Sequence, residues 1–359
     1  MDILSMLPKV NFPGTVYFGK SSLLYLKSLE GQRNLVVISK TVQERHGSKI
    51  GSLLEKGDIF PFSSEPKKSD VETFQEKVRE GEYENVIGIG GGSVMDLAKT
   101  ARLADGRIRL IMIPTTPGTG SEASRYSVMI NDNMEKEALT SENLVPDVVL
   151  LDPGFLASLP RHEIASSSLD IIGHAVESLV SRMSNPLADS LAIKAMDMVF
   201  MNAERACEGD MHAMESLQLA GFLAGLAQSS ASVGAAHAFA HHVGPKTGLP
   251  HGKAVGMFLP EVVKLNMQKT DRYKKLDSSC TVNSRDFIRR LEELMQRIGF
   301  QKKEFVVGGK ASADTFRPKL NVEDAARKIK NDACMKTNPC VLSEEEIKGI
   351  LEKVSHGQD

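Results

Sequence analysis

Cysteine is scarce: the four in 359 residues, Cys207, Cys280, Cys334 and Cys340, form no CxxC pair. This excludes a disulfide framework and a cysteine zinc site, and it fits a reducing, cytoplasmic setting. An excess of either charge is missing too, since 44 Lys and Arg against 46 Asp and Glu leave a net charge of −2. Neither nucleic acid nor a membrane surface is therefore an expected partner. The amino-terminal MDILSMLPKV lacks the basic and apolar regions of a secretory signal. The most apolar helical stretch, Leu219 to Ala227, is about half of the ~20 residues that span a bilayer. Repeats, flexible linkers and low-complexity tracts are likewise absent.

What is present is an ordinary globular composition, 41% hydrophobic and 25% charged, in a chain long enough for two domains. Short apolar runs at Asn34–Ser39, Asn85–Ile89, Ile108–Ile113 and Val148–Leu151 read as buried strands, with a helix over Ser69–Gly81 between the first two. Strands alternating with helices predict a parallel α/β sheet. After Pro160 the chain turns helical, over Ser166–Ala203, Met211–Gln228 and Asp286–Gly299. The small residues of Leu219–Ala240 would allow close helix packing. The expected division is an α/β unit, 1–157, and an all-helical unit, 158–359, with a ligand cleft between them.

Three patterns carry chemistry. Gly90-Gly91-Gly92-Ser93 follows a strand and opens a helix containing Asp96 and Lys99, where free N–H groups and the helix dipole suit a phosphate. It is neither a literal GxGxxG nor a P-loop, and a turn without a ligand would leave the same pattern. Pro114 to Glu122, PTTPGTGSE, offers Thr115, Thr116, Thr119 and Ser121 at the carboxyl edge of the next strand, as donors to a pyrophosphate or as helix caps. Asp170 and His174 are spaced i, i+4, as are His237 and His241, and His251 follows Pro250. One Asp and three His from separate segments suit Zn²⁺ or Fe²⁺.

In combination these motifs resemble the iron-containing, or group III, metal-dependent alcohol dehydrogenase family over nearly the whole chain. GGGSVMDLAK at Gly90–Lys99 and PTTPGTGSE are similar to its two loops. Phe12–Gly19 is similar to its first strand, and Asp332-Ala333-Cys334 with Thr337-Asn338-Pro339 to its DAC and TNP segment. The resemblance implies a dinucleotide-binding parallel-sheet domain followed by a helical metal-binding domain, the dehydroquinate synthase-like fold, and a homodimer. It implies metal ligands at Asp170, His174, His237 and His251, and a proton-relay group at His241, with His242 as an alternative. The cofactor contacts implied are Ser39, Gly90, Gly91, Gly92, Ser93, Asp96, Thr115, Thr116, Thr119, Ser121 and Lys136.

The implied activity is NAD(P)(H)-dependent interconversion of a primary or secondary alcohol and its aldehyde or ketone. In NAD-preferring members of the family an acid often ends the strand occupied here by Ser39, so Ser39 followed by Lys40 favours NADP(H), with NAD(H) still usable. Ser168, Cys340 and a short Lys99–Ile111 connector depart from the pattern. They leave an alternative substrate class, a small anionic aldehyde or a sugar-derived alcohol, handled by a reductase or oxidase. A non-catalytic nucleotide- or metal-binding protein is the third reading.

Overall fold

The computed structural model describes residues 9–54, 57–132, 136–300, 306–307 and 319–355. Its first half is built on β1 (Thr15–Phe18), β2 (Asn34–Ile38), α1 (Lys40–Gly51), β3 (Asp58–Pro61), α2 (Lys68–Gly81), β4 (Asn85–Gly90), α3 (Gly92–Lys99), α4 (Ala101–Ala104) and β5 (Arg109–Pro114). A hairpin, β6 (Tyr126–Ile130) and β7 (Lys136–Thr140), precedes β8 (Val148–Leu151). Six strands form one parallel sheet in the order β1-β8-β5-β4-β2-β3. Strands β2, β4 and β8 are buried along their whole length, which explains why they read as unbroken apolar runs rather than alternating ones. The carboxyl ends of β2, β4 and β5 lie at one edge of the sheet and carry Ser39, the glycine loop and the threonine loop.

The expected strands are present. β3 and the β6–β7 hairpin were not legible: β3 and β7 are mostly exposed, and the apolar run of β6 is only three residues long.

From Arg161 onward the chain is mainly helical: α5 (Arg161–Val180), α6 (Pro186–Cys207), α7 (Met211–Ala231), α8 (Ala235–Thr247), α9 (His251–Met267), α10 (Phe287–Arg297), α11 (Val322–Asn331) and α12 (Glu344–Ser355). Two-residue strands β9 (Val306–Val307) and β10 (Lys319–Leu320) interrupt it. The stretch Ser166–Ala203 is two helices rather than one. Asn185 caps α6 by accepting the Ala188 N–H at 3.1 Å, and Pro186 starts it. No single helix is long and apolar enough to cross a membrane among the described residues.

Helix α7 joins the two halves. A Cβ on Gly221 would fall 1.6 Å from the Pro117 carbonyl oxygen, and one on Gly225 2.6 Å from that of Gly120. The small residues expected to bring helices together thus bring a helix onto the threonine loop.

Candidate active site

Helix α5 is buried along most of its length and presents Asp170 and His174 one turn apart on one face. Helix α8 contributes His237. Gly248, at φ +68°, ends α8 in the left-handed conformation that glycine tolerates, and Pro250 caps α9, so that His251 returns as its first residue. Four ligand atoms, one each from Asp170, His174, His237 and His251, lie within 4.8 Å of one another. Asp170 Oδ1 is 3.6 Å from His237 Nε2, and both atoms are buried without a hydrogen-bond partner. That spacing is too long for a hydrogen bond and right for two ligands of one ion at about 2.0–2.2 Å each. The residues fit a divalent metal.

The electrostatics agree. Burial would raise Asp170, but His174, His251 and His237 hold it far below the carboxylate range. Burial, opposed by Asp170, lowers His174 to about 4. Burial, opposed by Asp170 and reinforced by His237, His241 and Lys136, pushes His251 well down. Both imidazoles are neutral at pH 7, the form that binds metal. His237 differs: burial would lower it, yet the nearby Asp170 carboxylate and the hydrogen bond to Glu177 raise it to about 9, so an arriving ion must displace its proton.

Glu177, absent from the expected set, organises this corner. Its Oε2 lies 2.6 Å from His237 Nδ1 and accepts the Gly234 N–H at 2.9 Å, while Oε1 accepts that of Ala236 at 2.6 Å. Asn338 takes the Ala235 N–H at 3.2 Å, so the first turn of α8, which lacks a capping side chain of its own, has its donors satisfied. The signal was available, since Glu177 is a buried-register carboxylate three residues after His174 in the same helix.

The ligand set opens into a cavity of about 600 Å³. Gly92, Ser93, Asp96, Thr119, Ser121 and Lys136 line the same cavity, as do His241 and Cys334. Gly90, Gly91, Thr115, Thr116 and Ser39 do not line it. Gly90 ends β4 and Gly91 caps α3, whereas the Ser39 hydroxyl accepts the Val42 N–H at 3.3 Å as the cap of α1.

Asp96 braces the threonine loop. It accepts from Ser121 Oγ at 2.6 Å and lies 3.4 Å from the Lys99 ammonium, which is fully buried beneath the loop and donates to the Ser121 and Tyr126 carbonyls. Beside it Glu122 is buried, with Oε2 unpartnered, and burial raises it to about 7.

His241 stacks on His251 with ring centroids 5.5 Å apart, and its Nδ1 is 3.5 Å from Asp332 Oδ2. Burial, only partly offset by Asp332, lowers its pKa. His242 bonds Asp332 at 3.0 Å and does not line the cavity. Ser168 donates to the Ile164 carbonyl inside α5, and the Cys340 thiol to Asn266. Neither residue lines the cavity, so neither bears directly on substrate choice.

Two family models match the chain: "Iron-containing alcohol dehydrogenase" over residues 13–153 and "Fe-containing alcohol dehydrogenase family, C-terminal" over 164–355. The NADPH-dependent butanol dehydrogenase of Clostridium saccharobutylicum is 28% identical, across 98% of this chain and 99% of that protein. The probable alcohol dehydrogenase EutG of Escherichia coli K12 is 32% identical, across 94% and 90%. The solved iron-containing alcohol dehydrogenase of Thermococcus thioreducens superposes with a TM-score of 0.85 at 26% identity, covering 98% of this chain and all of that one (100%). The chain belongs to the iron-containing alcohol dehydrogenase family and is a metal-dependent NAD(P)(H) oxidoreductase that interconverts alcohols with aldehydes or ketones.

Proposed function

We propose that the substrate is a small, uncharged alcohol or its carbonyl partner, and that Asp170, His174, His237 and His251 hold the metal. One observation carries the reading: four convergent ligand atoms stand in the wall of a cavity that also contains the N-terminal turn of α3. When bound, a divalent ion supplies Lewis acidity toward the substrate oxygen, and the nicotinamide supplies or accepts hydride.

The protein's own residues do the rest. The N–H groups of Gly92 and Ser93 at the start of α3, with Thr119 and Ser121, grip the cofactor's phosphates. Lys136 stands over the same space, tied to Glu65 at 2.5 Å. It is the one Lys or Arg lining the cavity among the described residues, and its pairing disfavours an anionic aldehyde. His241, neutral and steered by Asp332, takes or returns the hydroxyl proton.

Ser39 carries no charge to repel a 2′-phosphate and is followed by Lys40, which supports preference for NADP(H). The reading includes a homodimer in a reducing compartment, the latter consistent with four free thiols.

The deciding experiment assays Fe²⁺- and Zn²⁺-loaded protein with NADPH and NADH against neutral, phosphonate and sugar aldehydes. Neutral aldehydes with NADPH should give the highest kcat/KM. His251→Ala should abolish turnover while NADPH affinity stays within a few-fold of wild type. Loss of both together would remove His251 from the metal set, and best activity on the phosphonate aldehyde would reverse the substrate assignment.

A further inference from the structure

A second convergent donor set stands at the cavity, with His241 and Cys334 in its wall; the chemistry above uses His241 and its partner Asp332 for the proton and leaves the thiol unused. His241 Nδ1, a carboxylate oxygen of Asp332 and the Cys334 thiol lie within 4.8 Å of one another. His241 Nδ1 is 3.5 Å from Asp332 Oδ2 and 4.0 Å from Cys334 Sγ. Ligands of one tetrahedral Zn²⁺, at about 2.0 Å for N and O and 2.3 Å for S, stand roughly 3.3–3.5 Å apart, so side-chain shifts of about half an ångström are needed.

The presentation is rigid. Asp332 Oδ1 accepts the Cys334 backbone N–H at 2.8 Å, which fixes carboxylate and thiol on a single turn, and His241 comes from the facing helix α8. His242 Nε2, at 3.0 Å from the same Oδ2, helps hold the carboxylate in place.

We infer that His241, Asp332 and Cys334 form a second, thiophilic metal site, selective for Zn²⁺-like ions, whose occupation inhibits the enzyme. Binding converts Cys–SH and M²⁺ into a thiolate–metal bond and releases the proton to solvent. The two anionic ligands neutralise the incoming dication, so a second ion is tolerated near the first. Hard cations such as Mg²⁺ are disfavoured by the sulfur. Inhibition rests on the reading of His241 as the proton carrier, because a coordinated imidazole cannot exchange its proton. Metal binding at the second set does not rest on it.

The two sets differ in one decisive respect: Asp170, His174, His237 and His251 contain no sulfur. The full-length protein, loaded with one equivalent of Zn²⁺, is titrated with Co²⁺ while absorbance and turnover are followed. The expected result is one further Co²⁺ per chain, an intense near-ultraviolet thiolate-to-cobalt band, and turnover that falls in step with it by roughly 10²-fold.

Cys334→Ser should abolish the band and the inhibition. Asp332→Asn, which keeps the shape of the turn, should weaken both if the serine variant folds poorly. Asp170→Asn should lower the affinity of the sulfur-free set but leave the band, which separates failure of that assignment from failure of this one. No band in wild type, or a band that survives Cys334→Ser, overturns the second site. A band with unchanged turnover overturns the inhibition.

Discussion

Glu177 shows how one side chain can govern chemistry without facing the cavity. It receives two backbone N–H groups of α8 and fixes the ring of His237, whose free Nε2 points at Asp170. A carboxylate behind a ligand histidine raises its basicity and locks its tautomer. Glu177→Gln keeps the shape and should weaken metal binding about 10–100-fold, measured by competition with a chelator; unchanged affinity would confine Glu177 to capping α8. Glu122 makes a different prediction. Its folded pKa of about 7 lies above the ordinary 4.5, so between those values the unfolded chain has lost a proton that the folded chain keeps. Stability contributed at low pH is therefore lost as pH rises through this window. Glu122→Gln removes the effect and should gain on wild type by up to about 3 kcal/mol between pH 5 and pH 8, read from urea midpoints. An equal difference at both pH values would mean that Glu122 is ionised against Lys99.

Among elements, α7 packs closely on α5 and α6 as its small residues led one to expect, and it also meets the threonine loop, which composition did not announce. Within this small-residue stretch, Gly221 and Gly225 face the carbonyls of Pro117 and Gly120. Gly221→Ala must push loop or helix aside, at a cost of about 1–3 kcal/mol, and should raise the KM for cofactor more than that for alcohol. Gly349→Ala in α12, where an added Cβ meets nothing within 4 Å, is the control and should be neutral or slightly stabilising. Matching losses in the two variants would refute the close contact. The convergence of Asp170, His174, His237 and His251 was legible in part, because a helix places i and i+4 on one face, and because Pro250 and Gly252 mark a turn around His251. The β6–β7 hairpin and the link between Asp332 and His241 were not. The hairpin offers only the short run Val128–Ile130 and a polar β7, and the link joins residues that only the folded chain brings together.

Across the whole molecule, the sulfur-free ligand set ties α5, α8 and α9 to one point, so a bound ion is a cross-link as well as a reagent. At a free concentration 100 times its dissociation constant it should add about 2.7 kcal/mol of stability, seen as a rise of several degrees in Tm. In Asp170→Asn that rise should shrink or vanish, and a full rise would place the stabilising ion elsewhere. The sheet carries another consequence, in the order of synthesis. β1 pairs only with β8, Thr15 beside Val148 and Phe18 beside Leu151, although β2, β3, β4 and β5 all leave the ribosome between them. β1 is thus among the last strands of the sheet to find its place, and until Leu151 emerges it waits unpaired, with its own Phe18 and the preceding Phe12 exposed even in the finished fold. A nascent chain stalled before that residue displays an apolar strand with no edge to join, a natural target for a chaperone during translation.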